Sequence, residues 1–583
     1  MNDSLDISQR KGIFRAGEDG LFALKDGGIE RPVCEPIWHV GNAIRVDGTG
    51  AADVIEFIDR AKTRKRTLIS HKDSVVRSTK VFETLADKNF AVPEDKTDRK
   101  LLLAYLADCR ASSTRMYLLA HRMGWHDQSF VIGNDVISTD TSKSLILDGP
   151  IKQYAAKFDQ KGTLSDYQSK VLRRVSHSSR LMTGIALALL VPLARIIGLE
   201  NGGLNIVGPA ATGKTTILRV IGSFYGGGTI PYIESWLMTD NAPATLGFAH
   251  CDLPLLLDES DALEPDQTKA GSRLKALVHR LALGQQKAQS HRALGDDSML
   301  TDFHVIFGST SEHRLAAFMR QGGSAITGGL AARLVDVPAD AGKGLKIFEK
   351  LPRDVTADQY LQRLNRACQQ YCGVAGRTYL RRLVTDVAKD RRGIEAFLAD
   401  HMRTFENKIA NDPQVDPRIR RRFAALFAAG QLGLRYRILD PKCNWFMDAI
   451  ASSYRAAIAS QPGASISATV AIDRLIKYLD DNIGKLPEAS GKQPITNSIW
   501  RRSIGLRFSS AQHGRRIWLK SKVLRDSIFP DDSDIALGHL ANAGVLTKSK
   551  AEQQRVPGLK IKEYFYIFDS KKLKALREPR KEE

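Results

Sequence analysis

One segment constrains this chain more than any other. Gly208-Pro-Ala-Ala-Thr-Gly213-Lys214-Thr215-Thr216 stands directly after the apolar run LNIV and directly before the helical run ILRVIGSF. The spacing is G-x-x-x-x-G-K-T between a strand and a helix, which is the form of a phosphate-binding loop. Its glycines let backbone N–H groups turn inward on phosphate oxygens, and the helix N-terminus behind the loop adds a favourable dipole. Lys214 is then expected to reach the β- and γ-phosphates of ATP, and the Thr215 hydroxyl to ligate Mg²⁺. Gly208, Pro209, Ala210, Ala211, Thr212, Gly213, Lys214, Thr215 and Thr216 form the expected nucleotide-binding set; the bland alternative is a glycine-rich turn.

About 45 residues later, Leu253-Pro-Leu-Leu-Leu-Asp258-Glu259 is an apolar strand-like run ending in two carboxylates. Alone this describes any solvated strand end. After a phosphate loop, Asp258 is expected to hold Mg²⁺ and Glu259 to polarise the attacking water as general base. The next strand-like run, Phe303 to Gly308, ends in Ser309-Thr310-Ser311, where Ser309 or Thr310 could orient the water or sense the γ-phosphate. Arg333 precedes LVDVP, where an arginine could stabilise transition-state charge in a neighbouring subunit's site or simply cap a strand.

Apolar runs and helical segments alternate from LNIVG through IPYIES, LPLLLD, FHVIFGS and RLVDVP, which predicts an α/β unit with a parallel sheet over about 161–345. Residues 1–160 read as an α+β domain, 346–486 as nearly all helix, and 487–583 as helix, helix, hairpin. In that last unit SKVLRDSIF and SDIALGHLANAGVL are the helices, and VLTKS and EYFYIFD the strands on either side of the polar stretch AEQQRVPGLKIK. This is the order of a winged-helix DNA-binding domain, with its second helix in the major groove and the hairpin on the backbone; such modules also join proteins. Lys548, Lys550, Lys560 and Lys562 are its expected DNA contacts.

Charge supports a polyanionic partner. The 583 residues hold 86 Lys and Arg against 65 Asp and Glu, a net +21. The surplus is uneven: residues 201–340 are net −3, whereas 491–583 are net +10. Six scattered cysteines without a C-x-x-C unit fit a reducing compartment and disfavour a zinc site. The N-terminal MNDSLDISQR lacks a signal-peptide pattern, and Leu181–Leu199, interrupted by Pro192 and Arg195, is too short an apolar run for a membrane span. A cytoplasmic protein with no membrane partner is expected.

The set GPAATGKTT, LPLLLDES, LALGQQKAQSHR, FHVIFGSTSE and GGLAARLVDVPAD, with Gly124-Trp125 upstream, resembles a bacterial and mobile-element AAA+ ATPase family catalogued as a domain of unknown function. Its best understood relatives are cassette-chromosome helicases, similar to minichromosome maintenance helicases. The resemblance covers roughly residues 12–440. It implies an AAA+ P-loop core with a helical lid, and a hexameric, ATP-driven DNA helicase or translocase that replicates a plasmid, phage or other mobile element. Single-stranded or forked DNA, further copies of the chain, and a loader or primase are the implied partners. Arg333 matches the family's arginine finger, although Ala-Arg-Leu-Val replaces Ser-Arg-Phe-Asp. The sensor strand there presents Asn, so Ser309 or Thr310 must do its work, and Arg418, Arg421 and Arg422 are alternatives for a second sensor. Lys287 and Arg292 fall where related ring helicases insert a pore hairpin, and are expected to contact DNA. The competing expectation is a DNA-bound AAA+ remodeller or regulator that hydrolyses ATP without unwinding.

Overall fold

The computed structural model describes residues 9–11, 13–24, 29–45, 48–140, 144–264, 267–285, 302–321, 328–412, 415–440, 445–461, 468–489, 495–510, 514–529, 533–547 and 550–575. Mixed α/β architecture runs throughout. A four-stranded antiparallel sheet begins the chain, followed by a five-stranded sheet in the order Ser144–Leu147, Met116–Ala120, Ile37–Arg45, Ala52–Ile58, Arg64–Ser70. The helix Lys96–Ser112, capped by the Asp95 carboxylate, packs on this sheet and closes a separate apolar core.

The central sheet uses all five runs expected from the sequence. β1 (Gly202–Val207), β2 (Glu234–Ser235), β3 (Leu255–Asp258), β4 (Ile306–Ser311) and β5 (Leu334–Pro338) pair in the order β2-β3-β4-β1-β5, every pair parallel. Both faces are covered, so β1 is buried at all six positions and reads as continuous apolar sequence rather than as an alternation.

The apolar run after Ser178 folds as α1 (Ser179–Ala194), buried at every position, with the Ser178 hydroxyl accepting from Leu181 N–H as its cap. Among the described residues no helix is long and apolar enough to cross a membrane. Pro192 sits inside α1 and has no N–H to offer the carbonyl four residues back. That carbonyl, of Ala188, instead accepts from the Tyr225 hydroxyl at 2.9 Å, and the next, of Leu189, from the Tyr379 hydroxyl at 2.9 Å. Burial pushes both phenols well above their ordinary pKa, so they remain donors.

Trp125 Nε1 donates to the Pro192 carbonyl at 2.8 Å, while Trp125 N–H donates to Asp252, just before β3. Gly124, at φ +88°, permits this approach, since a Cβ there would lie 2.5 Å from the Cys251 carbonyl and the Asp252 carboxylate. Ala120 to Phe158 therefore pack into the same core as α1 and the central sheet.

Beyond β5 the chain is helical, as expected. Ala357–Gln370 begins with a Thr356–Gln359 capping box, Val374–Lys408 kinks at Asp390, and α2 (Pro417–Arg435) and Phe446–Ile458 follow, whereas Ala468–Asp481, within the same expected helical span, packs into the core of the C-terminal module. The helix Ala357–Gln370 carries Cys368 but stops before Cys372, so these two cysteines do not share a helix.

The C-terminal sheet runs Gly505–Ser510, Gly514–Lys520, Lys562–Asp569, Glu552–Arg555, all antiparallel. The sequence reading misplaced one of its strands. Among the described residues of VLTKS there is only a single bridge, Leu546 to Phe568, whereas Glu552–Arg555, inside the stretch read as a polar connection, is a strand. As an edge strand exposed on alternate positions, it shows no apolar periodicity to detect. Gly505–Ser510 and Gly514–Lys520 were not foreseen.

Removing the Tyr225 hydroxyl leaves the buried Ala188 carbonyl unpaired, so Tyr225→Phe is expected to destabilise by about 1–3 kcal/mol. Pro192→Ala supplies a backbone N–H for the same carbonyl. The double variant should therefore lose less than Tyr225→Phe alone in urea unfolding followed by tryptophan fluorescence.

Candidate phosphate and acid site

The site forms at the C-terminal edge of the central sheet, where β1, β3 and β4 end together. β1 delivers the chain into Gly208–Thr212, which is open to solvent, and Lys214–Ser223 follows as a helix. Gly213, at φ +107°, makes the turn into that helix, and a Cβ there would press against Ile347 and Leu361 at 3.1–3.3 Å. The Thr212 hydroxyl donates to the Pro209 carbonyl, and Lys214 Nζ donates to the carbonyls of Gly208 at 2.5 Å and Pro209 at 2.9 Å. The lysine thus lies over the rim of the loop.

The acids arrive from β3. Thr215 Oγ1 is 3.4 Å from Asp258 Oδ1, and the Thr310 hydroxyl donates to the same oxygen. Thr310 Oγ1 also accepts from Glu259 N–H at 3.0 Å. Glu259 has φ +59°, a left-handed conformation costing a non-glycine residue about 1–3 kcal/mol, and it turns an exposed carboxylate out of the strand end. The Thr215 hydroxyl and Asp258 carboxylate are neighbouring hard oxygen donors, a set suited to Mg²⁺.

Period-two alternation separates the two hydroxyls left open by the sequence. Thr310 faces Asp258 and Glu259, whereas Ser309 is fully buried and accepts from Trp236 Nε1 at 2.9 Å. Ser311, on the Ser309 face, accepts from Asn205 Nδ2 at 2.8 Å, and Asn205 also donates to Asp336 on β5 at 2.8 Å. This buried network ties β4, β1 and β5 together beneath the loop.

Arg333 ends the short helix Gly328–Arg333 and enters β5 at its N-terminal end, where Leu334 pairs with Gly203. The loop lies at the other end, about 13 Å away along the strands. The three arginines weighed as second sensors also lie away from the loop. Arg418 pairs with Asp416 and Arg421 donates to the Ile197 carbonyl. Arg422 is buried on α2, where burial pushes its guanidinium down to about 10, and it donates to the Ala332 carbonyl at 2.8 Å, one residue before Arg333.

Arg180 escaped the sequence reading. It is buried at the start of α1 and donates to the carbonyls of Pro338 at 2.6 Å and Asp340 at 3.1 Å, fixing the end of β5 next to Gly208. A lone arginine opening a sixteen-residue buried helix was the available signal. Lys287, Arg292 and Lys548 lie outside the described residues; Gln285 and Asp302, flanking the first two, form an antiparallel bridge. Lys550, Lys560 and Lys562 belong to the C-terminal hairpin region, far from this edge in sequence.

The solved structure described as SCCmec type IV Cch, an active helicase, aligns over 98% of this chain and 99% of its own, at 15% identity and TM-score 0.57, which shows a shared fold. The apo C-terminal region of NrS-1 aligns over 90% and 95% at 10% identity, but its TM-score of 0.28 is below that of a shared fold. No curated protein matches the chain. Residues 15–295, nearly half the chain and the part that holds the loop and both acids, match the family model described as Domain of unknown function (DUF927).

Proposed function

We propose that this chain is an AAA+ ATPase that forms a ring, hexameric by family resemblance, and drives a DNA helicase or translocase in replication of a plasmid, phage or other mobile element. The observation that carries the reading is the meeting of Lys214, Thr215, Asp258, Glu259 and Thr310 at one sheet edge, with β4 between the loop strand and the acid strand. The fold shared with an active helicase supports it. On this reading residues 1–160 form the N-terminal domain, 161–345 the core, 346–486 the lid and 487–583 a winged-helix module, working in the cytoplasm beside a loader or primase.

The loop cradles the triphosphate, and Lys214 turns from the Gly208 and Pro209 carbonyls to the β- and γ-phosphates. Thr215 and Asp258 would hold Mg²⁺, which neutralises phosphate charge when bound. Glu259 accepts the proton of the attacking water. Thr310 holds the Asp258 carboxylate and the Glu259 backbone in one frame, so the base and the metal-binding acid keep a fixed separation. Arg333, at the far edge of its own sheet, acts on the site of the next subunit, and Arg422 positions it through the Ala332 carbonyl. Lys287 and Arg292 contact DNA in the pore.

Glu259→Gln is expected to retain ATP binding and lose about 10²–10⁴-fold in turnover. Strand displacement on a forked duplex with ATP should be seen for wild type and not for that variant; DNA-stimulated hydrolysis without displacement would identify a remodeller instead. Thr310→Val should lower hydrolysis at least about tenfold while Ser309→Ala leaves it near wild type, since only Thr310 touches the acids. An Arg333→Ala subunit keeps its own loop, and a Lys214→Ala subunit keeps its own arginine. Mixing these two inactive variants should therefore restore part of the hydrolysis, whereas an arginine acting within its own subunit would give none.

A further inference from the structure

An open groove of about 830 Å³ lies in the C-terminal module between the helical segment Ser521–Ile528, the pair Lys550 and Ala551, and the strand Lys562–Asp569. Lys522, Arg525 and Lys550 line it with Tyr564 and Tyr566. Tyr566 is buried, and its hydroxyl accepts from Arg525 Nη2 at 2.9 Å, so the guanidinium is fixed at the base of the groove. Tyr564, two residues on and on the same face of the strand, is 54% exposed. The partner strand continues this face: Gln553 stands opposite Tyr564, and Arg555 opposite Lys562. From Lys562 to Tyr566 the stripe is about 13 Å long and presents cations, then an uncovered aromatic ring, then cations. Asp526 and Glu563 also line the groove, and Glu563 faces the charge of the half-buried Lys520.

The helix expected to enter a major groove is unsuited to it. Ser533–Asn542, SDIALGHLAN, contains no Lys or Arg and follows Asp531 and Asp532. Duplex readout rests mainly on Arg, Lys, Asn and Gln aimed at base edges, with cations on the flanking phosphates. Interleaved cations and an exposed ring are instead the elements that hold a single strand, because any base can stack on the ring while the backbone follows the charges.

Resting on the DNA-motor reading, we propose that this groove and the strand face that continues it bind one DNA strand, with a base stacked on Tyr564 and phosphates on Lys522 and Lys550 in the groove and on Arg555 and Lys562 beyond it. The test uses the full chain without nucleotide, on a single-stranded oligonucleotide carrying 5-iodouracil and on the same sequence as blunt duplex. Photocrosslinks to the single strand are expected at Tyr564. Tyr564→Ala should weaken single-strand binding about tenfold and Tyr564→Phe restore it, while Lys562→Gln should reduce the salt slope of single-strand binding by about 0.7. Unchanged single-strand affinity for Tyr564→Ala, or crosslinks confined to Ser533–Asn542 on the duplex, would overturn the proposal and leave the motor reading intact. Wild type that binds neither form would overturn both.

Discussion

The pairing of β4 between β1 and β3 is the constraint on which the site depends. It sets Thr310 beside the end of the acid strand and Ser309 against Trp236 on the opposite layer. A one-residue slip would exchange those faces, burying Thr310 away from Asp258 and aiming a buried serine at the acids. Register is held from the β1 side, where Asn205 grips Ser311 and Asp336, and β4 itself is buried at every position. Geometry at the edge therefore follows from pairing deep in the sheet.

A second dependence runs through α1. Its proline frees the Ala188 carbonyl, which Tyr225 answers from after the loop helix, and two further carbonyls of α1, those of Leu189 and Pro192, accept from Tyr379 in the helices beyond β5 and from Trp125 in the N-terminal part. One helix thus links the phosphate loop, the later helices and the Gly124-Trp125 turn, which itself holds Asp252 ahead of β3. Each of these donors is buried, where an unmade hydrogen bond is costly, so the three parts are locked to a common register.

Much of this was legible in the sequence because parallel strands buried on both faces leave long apolar runs, and a phosphate loop has a fixed spacing. The four longer strands of the central sheet and the loop were readable for that reason. Asn205 and Arg180 were not, since their meaning lies in partners 106 and 158 residues away. The choice between Ser309 and Thr310 needed the facing of β4, which a fully buried strand does not reveal by alternation. Glu552–Arg555 was missed for the opposite reason: an exposed edge strand needs only one hydrogen-bonded neighbour and no apolar face.

The charge partition and the sheet geometry bear on the same proposal. Residues 201–340 are slightly acidic, so the core does not attract a polyanion by itself, and the cations accumulate beyond it. Arg333 stands at the edge of the sheet remote from its own phosphate loop, and Arg422 fixes the peptide in front of it from α2. A buried arginine held by a single carbonyl is a poor source of stability, because removing its charge from water is costly. What Arg422 does there, on the proposed reading, is hold the peptide that precedes Arg333. On the proposed reading, α2 then connects two neighbouring sites: it packs on α1 behind one loop and sets the arginine that reaches the next.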